Sequence, residues 1–173
     1  MPDTTTTSPL DAHDEPQAPR GLNHLVLTVS DIEASHHFYT TLLGFRHVAT
    51  SARVRADGLP PMRFYSGVRD GHVTHHDLAL YQSPQVPGAA TQRLDHLAIE
   101  YGSEQSWRAQ IRFLESRGVV LANMIERGAT WSIHLHDPDG LELELVFERP
   151  RDEWAQDIQA AVNTARRHEW RPG

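Results

Sequence analysis

The alternation of apolar and polar residues from position 21 onward predicts a β-α-β-β-β unit. A β-type run, LNHLVLTV, precedes Ser30-Asp31-Ile32-Glu33, which has the Ser-x-x-Glu form of a helix capping box. A helix of about 13 residues is expected there, ending at Gly44, where a left-handed C-terminal cap is predicted. Three more β-type runs follow, at about 45–54, 62–68 and 75–81.

The chain then repeats this pattern. LDHLAIEY has the same shape as LNHLVLTV, and it is followed by a predicted helix and by β-type runs at about 119–125, 130–136 and 141–147. Asn23-His24-Leu25 matches Asp95-His96-Leu97 at an offset of 72 residues, and Gly44 matches Gly118 at an offset of 74. An internal duplication is the simplest explanation. The predicted fold class is therefore α+β, with two tandem β-α-β-β-β modules forming a curved, barrel-like mixed sheet with its helices outside.

Composition divides the 173 residues into three parts, and a chain of this length can form one domain with a substantial core. Residues 1–20 have almost no apolar content and are predicted to be a disordered arm. The domain is expected to span residues 21–148, with modules at 21–82 and 93–148. Residues 149–173 are helical by pattern and are predicted to dock on this domain or on a partner subunit.

Charge and residue content exclude several classes of function. Acidic residues outnumber basic ones, 23 against 16, and the chain has no block of Lys and Arg, so nucleic acid is not an expected partner. No apolar run approaches the ~18 residues that a membrane helix needs, and the N-terminus is not signal-like, so no membrane association and a cytoplasmic location are expected. The chain contains no cysteine and 12 histidines, so any metal must be held by nitrogen and oxygen ligands.

The alternation of side chains along the predicted strands selects two histidines and one glutamate as candidate metal ligands. Successive side chains of a strand point to opposite faces, so Leu25, Leu27 and Val29 are expected under the first helix while His24 faces away from it. The repeat places His96 in the equivalent position. In the last predicted strand the leucines and Phe147 form the apolar set and leave Glu144 on the opposite face. If the two modules form a shared cup, His24, His96 and Glu144 are expected to converge inside it.

Two imidazoles and one carboxylate, with open positions on one side, form the ligand set associated with non-haem Fe(II), for which Mn(II) is a substitute. A single histidine in a strand is more often a hydrogen-bonded core or surface residue. Two histidines related by a repeat, with an acid on the matching face, favour a metal site. Such a site can bind two adjacent oxygens of a substrate and still accept O2.

The paired modules, the strand-initial histidines of NHLVL and DHLAI and the ending DPDGLELEL resemble the vicinal oxygen chelate superfamily. That superfamily includes glyoxalase I, fosfomycin-resistance proteins, bleomycin-binding proteins, epimerases and type I extradiol ring-cleaving dioxygenases. The resemblance covers about residues 21–155. Its Asp-Pro-x-Gly-x-x-x-Glu spacing implies that the ligand is Glu144 rather than Glu142, and it also implies a homodimer.

Within this resemblance, THHDLALY is similar to a His-His-x-x-Ala stretch of extradiol dioxygenases. The similarity implies that His76 acts as an acid and base near bound O2, because an imidazole titrates near neutral pH. The second module departs from the extradiol pattern. It has Glu126-Arg127-Gly128 where those enzymes often carry a histidine, and His134 where they often carry a tyrosine. His134 is the candidate replacement as a hydrogen-bond donor to the substrate.

The leading hypothesis is an Fe(II)-dependent extradiol-type dioxygenase that cleaves a catechol-like or other small vicinal-oxygen aromatic substrate with O2. One alternative is a glyoxalase-like isomerase, lyase or epimerase that works with Zn(II), Ni(II) or Co(II). Another is a protein that binds and sequesters an antibiotic or other natural product. The sequence leaves open whether the cup forms within one chain or between two chains.

Overall fold

The computed structural model describes residues 22–85 and 94–169. The first module contains six strands, a short helix and a π-helical turn: β1 Leu25–Val29, α1 Ile32–His37, the turn Phe38–Leu42, β2 Arg46–Thr50, β3 Arg63–Ser66, β4 Val68–Arg69, β5 His72–Val73 and β6 Leu78–Gln82. Four of the strands form a sheet in the order β1-β6-β3-β2, and β4 pairs with β5 as a separate hairpin. The expected β-α-β-β-β order is therefore present with one added hairpin. The disordered arm predicted for residues 1–20 lies outside the described residues.

The second module repeats the arrangement and adds a C-terminal segment. Its elements are β7 His96–Glu100, α2 Glu104–Ser116, β8 Asn123–Arg127, β9 Thr130–His136, β10 Glu142–Glu148, a 3-10 turn Arg151–Glu153, α3 Ile158–Asn163 and β11 Ala165–Glu169. The sheet order is β11-β8-β9-β10-β7. In both sheets the first strand of the module lies at an edge and pairs in parallel with the last strand of the β-α-β-β-β unit.

Two local expectations are corrected. The cap of α1 is Asp31 rather than Ser30, because the Asp31 carboxylate accepts from the backbone N–H groups of Glu33 and Ala34. Ser30 instead donates its backbone N–H to Asp139 of the second module. The C-terminal segment is only partly helical, and its last described residues form a strand that pairs with β8. Gly44 and Gly118 do adopt positive φ after their helices, at 80° and 74°.

The two modules pack with their helix sides together over one core. Buried residues of both modules, including Tyr39, Leu80, Trp107 and Leu143, belong to a single apolar cluster. The opposite side of each sheet, here called its cup face, carries the residues that parity predicted to point away from the helices. The first cup face contains His24, Val26, Thr28, Phe64 and Tyr81, and the second contains His96, Ala98, Glu100, His134, Glu142 and Glu144.

Hydrogen bonds between the modules hold this arrangement. Tyr39 Oη donates to Asp137 Oδ2 over 3.0 Å, and both side chains are buried. Gln110 Nε2 donates to the carbonyl of Leu42 over 2.7 Å. Within one chain the helix sides therefore meet at the shared core, whereas the fold prediction had the helices outside, and the cup faces lie on the far sides of the two sheets from that core.

The C-terminal segment docks on the second module through Gly128. A Cβ atom at Gly128 would lie 2.7 Å from Ala161 Cα and 2.9 Å from the Ala161 carbonyl oxygen, which accepts the Gly128 N–H. This approach is possible only because Gly128 has no side chain. The predicted docking on the chain's own domain therefore has a specific contact point.

We expect Gly128→Ala to lower the free energy of unfolding by about 1–3 kcal/mol, the usual cost of overpacking, and to loosen α3 and β11. Urea unfolding measures the first effect, and amide hydrogen exchange along β11 measures the second. Gly102→Ala is the matched control, because a Cβ atom there would meet nothing within 4 Å. Equal protection of β11 in the two variants would contradict this account of the docking.

Candidate metal centre

The first cup face places His24 immediately before β1, where its side chain is exposed. His24 Nδ1 lies 2.8 Å from Asn23 Oδ1, so Nδ1–H donates to that oxygen. An imidazole held through Nδ1 in this way directs its Nε2 toward a metal or substrate, as metal-binding histidines usually do.

His75 and His76 lie beside His24, in a bend that precedes β6 rather than in the strand itself. The ring centroid of His76 is 4.3 Å from that of His24 and 5.1 Å from that of Phe64. His75 Nδ1 lies 2.8 Å from His76 Nδ1, so one of the two rings donates to the other. Partial burial lowers the pKa of His76, and the nearby imidazoles of His24 and His75 lower it further. The lowered pKa favours the neutral form of the His76 imidazole.

The second cup face brings His96 and Glu144 together. Strands β7 and β10 are parallel neighbours, with Glu144 opposite Ala98, and the His96 Nε2 to Glu144 Oε2 distance is 3.3 Å. His96 Nδ1 lies 2.8 Å from Asp95 Oδ2. That hydrogen bond raises the pKa of His96, partial burial opposes the rise, and the charge of Glu144 adds to it.

His134 lies on β9 directly opposite Glu144 and is buried. Its Nδ1 lies 2.6 Å from Glu142 Oε1, which fixes the orientation of the ring. Its Nε2 has no hydrogen-bond partner among the described residues and lies 3.9 Å from Glu144 Oε1. A buried polar nitrogen left without a partner costs about 1–3 kcal/mol. This orphaned atom points to a ligand between His134, Glu144 and His96.

One chain by itself does not assemble the predicted set of three ligands. His96 and Glu144 are in contact, whereas the ring neighbours of His24 are His75 and His76 of its own module. Within residues 22–85 and 94–169, no group of three or more His, Cys, Asp and Glu side chains could hold a metal ion. Two half-sites are present instead, and the two half-sites lie on different cup faces.

Three supporting residues were missed from the sequence: Asn23, Asp95 and Glu142. Asn23 and Asp95 each bind the Nδ1 atom of the histidine that follows, so the repeat preserves the orienting partner along with the ligand. The match of Asn23-His24 with Asp95-His96 contained this signal. Strand parity already places Glu142 on the face of Glu144, but its contact with His134 could have been found only from the register of β9 and β10.

A family model described as "Glyoxalase/Bleomycin resistance protein/Dioxygenase superfamily" matches residues 21–145. The chain belongs to this superfamily. Its members include many enzymes and resistance proteins, commonly bind divalent metals and small-molecule substrates, and often form dimers.

Solved structures share the superfamily fold with this chain. A glyoxalase/bleomycin resistance protein/dioxygenase domain from Frankia sp. EAN1pec is 24% identical, covers 76% of this chain and all of its own, and has a TM-score of 0.56. The fosfomycin resistance protein FosX from Listeria monocytogenes is 17% identical over 79% of this chain and 99% of its own, with a TM-score of 0.56. A glyoxalase/dioxygenase from Nostoc punctiforme is 22% identical over 79% of this chain and 99% of its own, with a TM-score of 0.55. At these identities the likeness shows the fold alone.

The donors present fit the divalent metal that the superfamily implies. His96 Nε2 and Glu144 Oε2 face each other, Asp95 orients the His96 ring, and the unsatisfied His134 Nε2 lies beside them. Imidazole and carboxylate suit Fe(II), Mn(II), Zn(II), Ni(II) and Co(II). In the part of the chain that the structure describes, no helix is long and apolar enough to cross a membrane.

Proposed function

We propose that this protein is a metal-dependent enzyme whose metal is held by His24 of one copy and by His96 and Glu144 of a second copy. The proposal is supported by the position of the half-sites on outward-facing cup faces of one chain. In this assembly, modules of two chains form the cup. His76 belongs to the same half-site as His24, and His134 belongs to the same half-site as His96 and Glu144.

The sheet edges support the same assembly. Strand β1, which follows His24, and strand β7, which begins at His96, are each an edge strand of their sheet. An edge strand has unpaired backbone groups and can accept a neighbouring strand without displacing its own partners. A two-fold dimer that sets β1 of one copy near β7 of the other brings the half-sites together twice, because such an interface is isologous.

Within this assembly we favour ring cleavage of a catechol-like substrate by a dioxygenase. The observation that carries this choice is the position of His76, whose ring centroid lies 4.3 Å from that of His24. A neutral imidazole beside the substrate oxygens can take a phenolic proton and return it to a leaving oxygen. When bound, Fe(II) would supply a Lewis acid for two adjacent substrate oxygens and electrons for O2.

The other residues of the proposed site bind and orient. Asn23 and Asp95 hold the two imidazoles through Nδ1, so that each presents Nε2. Glu142 holds His134 through Nδ1, which leaves His134 Nε2 to face a substrate oxygen. Burial of Glu144, whose side chain is 13% exposed, keeps water from competing for its oxygens.

A second candidate is a glyoxalase-like isomerase, lyase or epimerase. The contact of 2.6 Å between His134 Nδ1 and Glu142 Oε1 favours it, since a carboxylate and imidazole pair can move a proton on carbon without O2. A binding protein for an antibiotic or other natural product is the remaining alternative, and it would bind its ligand without forming a product.

The metal content and O2 uptake of protein purified without air test the choice among these functions. We expect one Fe(II) per chain and O2 consumption that depends on an added catechol, with a yellow ring-cleavage product. Turnover that needs no O2 and persists with Zn(II), Ni(II) or Co(II) would support the isomerase instead. Tight ligand binding without turnover would support the binding protein.

His76→Gln is expected to lower kcat by about 10²–10⁴-fold, the range typical of general acid and base catalysis, while the metal content stays unchanged. His37→Gln is the matched control, because His37 is an exposed histidine on α1. Unchanged kcat in His76→Gln would remove the acid and base role. Loss of metal in that variant would instead make His76 a ligand.

A further inference from the structure

A cavity on the first cup face lies away from the histidines. It has a volume of about 520 Å³ and is formed where residues 51–57 fold over Tyr81 and Met62. Tyr81 pairs with Thr28, four residues along β1 from His24. At about 3.3 Å per residue, the cavity lies roughly 13 Å from the His24 end of the same face.

Arg55 forms a rigid platform in this cavity. Its guanidinium forms an ion pair with Asp57, donates to the carbonyl of Gln82 over 2.9 Å and lies 3.9 Å from the centre of the Tyr81 ring. The hydrogen-bonding edge of Arg55 is therefore occupied, and its side chain is only 10% exposed. A guanidinium fixed in this way can stack its remaining planar face on an aromatic ring.

Arg53 supplies the net charge of the cavity. Asp57 balances the charge of Arg55, and Arg53 is exposed, lines the cavity and has no ion pair among residues 22–85 and 94–169. The whole chain carries a formal charge of −7, so a concave surface with a positive balance departs from the rest of the molecule. Val54, which is 90% exposed, adds an apolar wall.

We propose that this cavity binds an anionic aromatic arm of the substrate, with the ring on the Arg55 and Tyr81 platform and a carboxylate against Arg53. The inference rests on the proposed function only in taking the cup as the substrate site, since the cavity itself needs no metal. It restricts the substrate class to aromatic compounds that carry a carboxylate or similar anion at a distance from the two adjacent oxygens.

Binding of 1-naphthoate and of its uncharged counterpart 1-naphthamide to the full-length protein tests this inference, measured by calorimetry and by amide NMR shifts. We expect 1-naphthoate to bind more tightly and to shift the amides of residues 51–57 and Tyr81. Arg53→Gln is expected to weaken the binding of 1-naphthoate about fivefold, the upper range for an exposed ion pair, and to leave the binding of 1-naphthamide unchanged. Tyr81→Leu is expected to weaken both probes.

The matched control is Arg112→Gln, which removes an exposed arginine from α2 and should change neither probe. Equal affinity of Arg53→Gln and the parent protein for 1-naphthoate would overturn the inference. A fall in dimer content of Arg53→Gln in sedimentation, with unchanged 1-naphthoate affinity, would also overturn it and assign Arg53 to the contact between copies.

Metal content measured on the same samples separates this inference from the proposed function. Protein that binds 1-naphthoate through Arg53 but holds no metal would support the cavity and contradict the metal-dependent enzyme. Protein that binds metal but shows no Arg53-dependent preference for 1-naphthoate would support the metal-dependent enzyme and contradict the cavity.

Discussion

A heterodimer of His24→Ala with Glu144→Ala is expected to bind half as much metal as the parent dimer. In the proposed assembly each metal takes His24 from one copy and Glu144 from the other. The heterodimer therefore has one site that lacks both ligands and one site that is complete. Two different affinity tags on co-expressed chains allow the heterodimer to be purified, and elemental analysis gives its metal content.

The control carries both substitutions on one chain, paired with an unsubstituted chain. In the proposed assembly each site of this dimer lacks one ligand, so it should bind almost no metal. A cup formed within one chain reverses the two results, with no metal in the first heterodimer and half the metal in the second. The pair of measurements thus identifies which chains form the cup.

The homodimers of His24→Ala and of Glu144→Ala show how much metal affinity each ligand contributes. Loss of a residue that only orients a metal ligand typically costs about 10–100-fold in affinity, so loss of His24 or Glu144 itself should cost more. Full metal content in either single variant would show that the ligand set is wrong. Asp95→Ala, which removes the partner of His96 Nδ1, should fall within the 10–100-fold range.

Asp137→Ala is expected to destabilise the fold by about 3–5 kcal/mol. The buried carboxylate accepts Tyr39 Oη and the backbone N–H groups of Asp139 and Leu141, at 3.0, 2.9 and 2.9 Å. Alanine leaves Tyr39 Oη and the Leu141 N–H buried without an acceptor and the Asp139 N–H partly buried without one. Each unsatisfied buried donor costs about 1–3 kcal/mol, although such costs do not add fully. Urea unfolding followed by tryptophan fluorescence measures the change.

Tyr39→Phe separates the contact between modules from the turn itself. It removes one donor and leaves the two backbone bonds, so a smaller loss of about 1–2 kcal/mol is expected. Asp152→Ala, at an exposed position in the 3-10 turn, should stay within about 0.5 kcal/mol of the parent protein. If Asp137→Ala unfolds like Asp152→Ala, the turn does not hold the modules together.

Much of the local structure could be predicted because it depends on neighbours along the chain. The burial of Leu143 and Leu145 against the partial exposure of Glu144 followed from the two-residue period of a strand. Strand β9 was predicted with its observed limits, Thr130–His136, since β-type residues are bounded there by turn signals on both sides. Shorter strands and the mixed C-terminal segment depend on pairing partners and were less well predicted.

The sequence by itself determined the duplication, the superfamily, and the faces on which His24, His96 and Glu144 lie, because strand parity and the repeat are local properties. Only the tertiary structure decided that the helix sides of the two modules share one core. That packing turns the cup faces outward and separates His24 from His96 within one chain. The tertiary structure also placed Arg55 over Tyr81 and left His134 Nε2 without a partner. Contacts between residues far apart in the chain depend on how whole sheets pack, and a local pattern of residues does not predict that packing.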